Sequence, residues 1–383
     1  MPLAQSIRAL LAILLIALGS LLPAVSSAQT PRAEVVATGL DSPWSVAFLP
    51  QNRYLVTEKP GRMRVISADG KVGAPLSGLP EIAAGGQGGL LDVVLDADFV
   101  RNRTLFFCFS EPAASGRGNS TAMARATLSP DETQLQGVKV IFSQKPKFSS
   151  SAHFGCRIVE GRKNGQLDGT LFMTLGDRFS RKEDAQTLDN HHGKVIRVNK
   201  DGSVPADNPF VSRAGALPEI WSYGHRNLQG ATLAPDGTYW THEHGAQGGD
   251  EINLPLAGRN YGWPVITHGE NYGGGKIGEG ITQKPGMEQP LHFWVPSIAP
   301  SGMAFLTSER YGNAWRGNLF VGSLKFGYLN RIELSEPFKG KVVREHKLLE
   351  DAGRIRDVRQ GPDGLIYVLT DSPRGRLLRL LPN

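Results

Sequence analysis

The chain has 383 residues, 40% of them hydrophobic and 20% charged, a balance that excludes bulk disorder. Lys and Arg number 42 against 36 Asp and Glu, and the resulting charge of +6 is scattered with no basic run, so nucleic acid is excluded as an expected partner. Only Cys108 and Cys156 are available for cross-linking, which excludes a disulfide-dense scaffold and leaves open whether the two pair or stay buried thiols.

In chain order, the first element is a leader. Arg8 precedes the apolar run ALLAILLIALGSLLPAV and then SSAQT, which predicts a signal peptide over residues 1–28 with cleavage after Ala28. The run is short for a membrane span and is interrupted by Gly19 and Pro23, so no span is expected in the mature chain; a retained anchor is the lesser reading. Export predicts a periplasmic or secreted protein in an oxidising compartment.

From there to the C-terminus one pattern recurs. WSVAFLPQNRYLVTEK at Trp44 is a short alternating apolar run, a polar turn and a second β-prone run. Related hairpins begin at Leu90, His153, Asn227, Ser301 and Ile355, with PDG turns at 235–237 and 362–364. Their spacing, roughly 45 to 75 residues, is that of propeller blades with loop insertions. No long stretch carries an apolar stripe of helical period. The prediction is an all-β protein: one six-bladed β-propeller of four-stranded antiparallel blades over residues 29–383, with a β-sandwich as the alternative.

The repeat carries a geometric consequence. A tight turn brings the start of the first strand and the end of the second to one face, so residues flanking them should gather at one mouth. Before first strands stand Gln87, His153, Arg226, Asn227, Ser301, Arg354 and Arg356; after second strands stand Asp177, Glu243, His244, Gly245, Lys325 and Asp371. Several cations, one histidine and one or two carboxylates suggest a polyanionic ligand, because buried charge is costly unless paired.

The motifs GGQGGLLDVVLD (85–96), SSAHFGCRI (150–158), LGDR (175–178), YGHRNLQG (223–230), EHGAQGGDEIN (243–253), NYGWP (260–264), PSIAPSGM (296–303), SLKFGYLNRI (323–332) and RIRDVRQGPDG (354–364) resemble those of the soluble pyrroloquinoline-quinone-dependent sugar dehydrogenases, most closely the bacterial aldose sugar dehydrogenases. The resemblance spans nearly the whole mature chain and implies a six-bladed propeller that oxidises aldoses at C1 to lactones, with pyrroloquinoline quinone (PQQ) and calcium (Ca2+) as cofactors. It implies that Gln87, His153, Arg226, Asn227, Lys325, Arg354 and Arg356 bind the quinone, a planar tricarboxylate suited to arginine forks. It implies His153 as the base that takes the hydroxyl proton, Asp177 as the carboxylate orienting it, and Arg226 beside them at the reacting centre. Calcium would take the carbonyls of Gly245 and Ala246 at the cofactor, and Glu251 with the Tyr261 carbonyl at a second, structural position.

THEHGAQGGDEINL holds two histidines around a glutamate but lacks the zincin spacing, so His242 and His244 are read as loop residues. Two positions depart from the pattern: Ala246 where a well-known relative has proline, and Cys156 where glycine is common. The glycine-rich loop at 268–280 places Tyr272 where it could lean over a sugar. With no Cys-x-x-Cys-His haem attachment in the chain, electrons must go to an external acceptor. A monomer or homodimer is expected. The competing functions are a calcium-dependent lactonase and a non-enzymatic carbohydrate-binding propeller, since fold alone separates none of the three.

Overall fold

The structure is a computed structural model that describes residues 31–115 and 117–383; the expected signal peptide lies outside the described residues. Twenty-four strands form six four-stranded antiparallel sheets, the arrangement the hairpin repeat predicts. The first complete blade is β1's neighbour in sequence: β1 spans Arg32–Leu40, and β2 (Pro43–Leu49), β3 (Arg53–Glu58), β4 (Arg62–Ile66) and β5 (Val72–Pro75) follow as one sheet. The second blade is β6 (Leu90–Leu95), β7 (Thr104–Pro112), β8 (Asn119–Leu128) and β9 (Leu135–Ser143). The third is β10 (Gly155–Lys163), β11 (Gln166–Leu175), β12 (Lys194–Asn199) and β13 (Ile220–Tyr223). The fourth is β14 (Leu228–Leu233), β15 (Tyr239–Glu243), β16 (Asp250–Asn253) and β17 (His292–Trp294), and the fifth is β18 (Pro300–Phe305), β19 (Leu319–Ser323), β20 (Leu329–Glu336) and β21 (Lys339–Leu348).

The last blade has only three strands of its own, β22 (Ile355–Gln360), β23 (Ile366–Thr370) and β24 (Gly375–Leu381). Its fourth comes from the other end of the chain: β1 pairs antiparallel with β24, Val35 opposite Leu378, and closes the ring. Closure removes a seam that would leave the ring's first and last blades unjoined.

Alternation explains why the blades stack. Along β7, Leu105, Phe107 and Phe109 enter one core with Leu55 and Met63 of the preceding blade. Phe106 and Cys108 point the other way, into a core with Ile158, Leu171 and Met173 of the next blade. A strand buried on both faces reads as a near-continuous apolar run, which is what LFFCF is. Cys108 and Cys156 are joined as a disulfide across this interface, which resolves the alternative left open by the sequence.

The turns follow their chemistry. Gly237 and Gly364 of the two PDG turns have φ of 93° and 79°, a region that favours glycine, and each donates its N–H back across the turn. The inner strands are tied together around the axis. Arg157 bonds Asp92 and Asp357 at 3.3 and 2.8 Å, and Arg359 bonds the same two at 2.5 and 3.1 Å. Ser45 Oγ donates to Asp92 at 2.6 Å, so inner strands of four blades share one network of paired charge. Among the described residues helix is confined to short pieces, α1 (Phe99–Asn102) and a 3-10 turn at Lys182–Gln186, and no helix is long and apolar enough to cross a membrane.

Candidate active site

Register builds the site. In the third blade Gly155 is opposite Leu175, so two steps beyond the pair His153 faces Asp177. His153 Nδ1 lies 2.6 Å from Asp177 Oδ1. In the fourth blade Leu228 is opposite Glu243, and the same two-step extension sets Arg226 against Gly245, whose carbonyl accepts from Arg226 Nη1. In the last blade Ile355 is opposite Thr370, and one step out Arg354 meets Asp371 at 2.9 Å. In the fifth, the Lys325 N–H donates to the Ile298 carbonyl at 3.3 Å. One antiparallel geometry, repeated four times, delivers most of the predicted residues to one mouth.

The histidine segment is held in a demanding conformation. His153 has φ 52°, and Arg178 and Phe179 have φ 60° and 67°, all in the left-handed region. The His153 N–H donates to Gln87 Oε1 at 2.8 Å. Gly176 is required beneath it, because a Cβ there would lie 2.2 Å from the His153 carbonyl oxygen. Arg178 stacks on Phe154 at 3.7 Å and donates to the Ser150 carbonyl at 2.7 Å, which fixes the SSAH stretch from below. Asp177 is fully buried; its Oδ1 also accepts the Phe179 N–H, and its Oδ2 accepts the Trp263 indole N–H, both at 2.8 Å.

These contacts set the state of the imidazole. Burial holds the His153 imidazole below its ordinary pKa; Asp177 opposes this, and Arg226 and Arg178 reinforce it. A carboxylate on Nδ1 fixes the tautomer that carries the proton there and leaves the Nε2 lone pair free. Nε2 has no hydrogen-bond partner among the described residues.

Next to this segment lies a cavity of about 520 Å3. Gln87, Asn227, Lys325, Arg354 and Arg356 line it, as does Phe154 next to the histidine. Lys59, Trp44 and Gln229 line it too, and the sequence did not assign them to a ligand; His244, placed at the mouth by the hairpin rule, also borders it. Lys59, Lys325, Arg354 and Arg356 against Asp371 leave an excess of three positive charges on the walls. Arg356 donates to Gln229 Oε1 at 3.2 Å and lies over Trp44 at 5.7 Å. The Nε atoms of Arg226 and Arg356 are buried with no partner among the described residues. A planar tricarboxylate fits these walls, with three anionic groups for three uncompensated cations and an acceptor for the orphaned donor of Arg356; Arg226 lines not this cavity but a smaller one with Glu243 and Gly245.

The calcium positions fit less evenly. The Gly245 carbonyl, expected to hold an ion with that of Ala246, carries the Arg226 guanidinium, which also donates to the His244 carbonyl at 3.1 Å. Calcium there requires the guanidinium to yield that carbonyl. At the second position, Glu251 and Tyr261 border a small cavity of about 10 Å3, together with Gly245 and Thr267. Burial and the neighbouring Glu243 push the Glu251 carboxyl up to about 8. Among the described residues no cluster of three or more His, Cys, Asp or Glu side chains could hold a metal. Asp250 is engaged elsewhere, accepting the N–H groups of Gly245, Ile298 and Ala299.

Two expectations change. His242 is a buried member of β15, not a loop residue, because the YWTHE strand is buried along its whole length. His244 lies outside the strands, as read, and borders the cavity; its Nε2 is bonded to the Pro300 carbonyl at 2.7 Å, and burial pushes it down to about 4. Ser301 sits inside β18 and donates to the Ile355 carbonyl, so it serves blade packing and not the mouth. Tyr272 of the glycine-rich loop lies over Arg226 at 5.8 Å, with its hydroxyl 3.3 Å from Nη2. Its ring stacks on Phe179 at 6.4 Å, and Phe179 meets His153 edge-on at 5.2 Å.

Comparison with known proteins gives a consistent result. Residues 40–379 match the family model described as Glucose / Sorbosone dehydrogenase. The chain is 44% identical over 357 residues to the aldose sugar dehydrogenase YliI of Escherichia coli K12, covering 92% of this chain and 93% of that one. The crystal structure of the soluble aldose sugar dehydrogenase from E. coli in the apo-form is similar at 43% identity and a TM-score of 0.86, over 92% of this chain and 100% of that one. The PQQ-bound form of the aldose sugar dehydrogenase from Streptomyces coelicolor is similar at 26% identity and a TM-score of 0.72, over 91% and 98% of the two chains. The chain belongs to the glucose/sorbosone dehydrogenase family.

Proposed function

We propose that this protein is an exported quinoprotein that oxidises aldose sugars at C1 to lactones, with PQQ and calcium as cofactors and an external electron acceptor. The observation that carries the reading is the His153–Asp177 pair, 2.6 Å apart, beside a cavity whose walls carry three uncompensated positive charges. When bound, PQQ supplies a two-electron acceptor. The chain supplies the rest. Arg354, Arg356, Lys325 and Lys59 offer cations to carboxylates, and Gln87, Asn227 and Gln229 offer amide hydrogen bonds. His153 Nε2 takes the C1 hydroxyl proton, which a neutral imidazole held below its ordinary pKa can do at neutral pH. Asp177 stabilises the imidazolium that results. Arg226, packed against Trp263 at 5.2 Å, directs positive charge at the reacting centre.

A neutral lactone would leave the cationic walls unmatched, so hydrolysis is the weaker reading. Glu251 with the Tyr261 carbonyl is the calcium position that the geometry favours, and Gly245 with Ala246 is the second candidate. Residues 29–383 would form one propeller domain after cleavage of the leader, and the Cys108–Cys156 bond suits an oxidising compartment.

The test is reconstitution. The purified chain receives PQQ and calcium, separately and together, and dye reduction is followed with a panel of aldoses while the product is identified. Turnover that needs PQQ and yields lactone supports the reading. PQQ that binds without aldose oxidation would refute the substrate, and PQQ that fails to bind would refute the whole reading.

A further inference from the structure

We propose that Trp263 is a positioning residue of this site: its indole N–H grips Asp177 and thereby sets the orientation and basicity of His153. The proposal rests on the reading of His153 as the base. Trp263 comes from the insertion between β16 and β17, remote in sequence from the third blade, yet its Nε1 lies 2.8 Å from Asp177 Oδ2. Asp177 is then saturated on both sides. Oδ1 takes His153 Nδ1–H and the Phe179 N–H, and Oδ2 takes the indole.

Trp263 is itself fixed. It is 8% exposed, its N–H donates to the Gly224 carbonyl at 2.9 Å, and its carbonyl accepts from Gln186 Nε2 at 2.7 Å. Its ring also lies 5.2 Å from the Arg226 guanidinium. One side chain therefore touches both the carboxylate behind the base and the cation beside it.

The physical effect has a sign. A donor on Oδ2 favours the carboxylate and lowers its pull on the Nδ1 proton. The other groups facing this pair are basic: Arg178 and Arg226 act on His153, and Lys194, which burial pushes down to about 7, acts on Asp177 and carries its full charge only below that pH. Trp263 is neutral, so replacing it changes hydrogen bonding without changing charge. Trp263→Phe keeps a ring under Arg226 and removes the N–H. The freed carboxylate becomes more basic, the imidazolium is better stabilised, and the pKa of His153 rises.

The experiment compares pH profiles of dye-linked aldose oxidation by the PQQ-loaded parent and W263F. The expected result is a kcat loss of about tenfold, because a carboxylate untethered at Oδ2 no longer holds the imidazole in line, and this loss of orientation outweighs the better-stabilised imidazolium. KM stays within about twofold, and the acid limb moves up by about 0.5 pH unit. A kcat loss with an unmoved limb would mean packing alone and would overturn the proposal, as would a limb that moves down. A second measurement needs no cofactor and no folded W263F. In the [15N]tryptophan-labelled chain, the Trp263 indole resonance should titrate with the midpoint of His153, and its assignment follows from its displacement in Asp177→Asn. An indole insensitive to that titration would overturn the proposal. An inactive parent would instead refute the dehydrogenase reading while the indole titration still reports on Trp263.

Discussion

Replacing Asp177 by Asn should cost the enzyme its rate and not its cofactor. Each oxygen of Asp177 faces an N–H: Phe179 at Oδ1 and Trp263 at Oδ2, both at 2.8 Å. Wherever the new NH2 points, it meets a donor. The cheaper orientation turns it toward Trp263 and keeps the oxygen on His153, so the imidazole stays in place but loses its counter-charge. With charge centres ~4 Å apart and an effective dielectric of ~20, that attraction is about 4 kcal/mol, which corresponds to roughly a thousandfold in rate. The imidazolium also becomes less stable, so the acid limb of kcat moves down, opposite to W263F. The assay is steady-state dye reduction with PQQ-loaded protein, with cofactor binding followed by absorbance and folding by circular dichroism. A folded D177N that binds PQQ and retains kcat within tenfold of the parent would refute the reasoning.

Arg356→Met removes a buried cation from the cavity wall and leaves Asp371 to Arg354 alone. PQQ affinity should fall by about 3 kcal/mol, roughly 100-fold, with kcat at saturation little changed; an unchanged titration curve would contradict this. Replacing both Cys108 and Cys156 by Ala opens a cross-link between residues 48 apart, a loss of up to about 4 kcal/mol by chain entropy, read by urea unfolding. A loss under about 1 kcal/mol would show that the bond does not constrain the unfolded chain in this way. Acid should destabilise the fold early. Burial holds His153, His191, His192 and His242 below the ordinary histidine value of 6.5. The unfolded chain then binds more protons, so stability is full above about pH 6.5 and declines as pH falls through the folded values, by up to about 1.4 kcal/mol per unit for each histidine. Urea midpoints flat from pH 7 to 5 would contradict this.

Much of this site was legible because a propeller turns spacing into position. The hairpin that predicts two strands also predicts that the residue before one meets the residue after the other, and His153 with Asp177 and Arg354 with Asp371 follow that rule. The closing strand was not legible. The burial of β1 does not alternate as a half-buried strand's would, and its partner lies at the far end of the chain. Trp263 and Tyr272 were harder still, because the insertion between β16 and β17 follows no repeat; NYGWP was visible as a motif, but nothing in its spacing points at Asp177. His242 was misread because a strand end and a loop start look alike when both are polar. The calcium carbonyls could not be read at all from side chains, and only coordinates reveal that Arg226 holds one of them.

The central claim is that His153 takes the proton from the sugar. The direct measurement is the single-turnover rate of PQQ reduction by an aldose in His153→Ala, with the cofactor fully bound. Loss of the general base should slow that step by about 10²- to 10⁴-fold while PQQ affinity stays within a few fold of the parent. A His153→Ala protein that reduces bound PQQ within tenfold of the parent rate would place the base elsewhere and contradict the account.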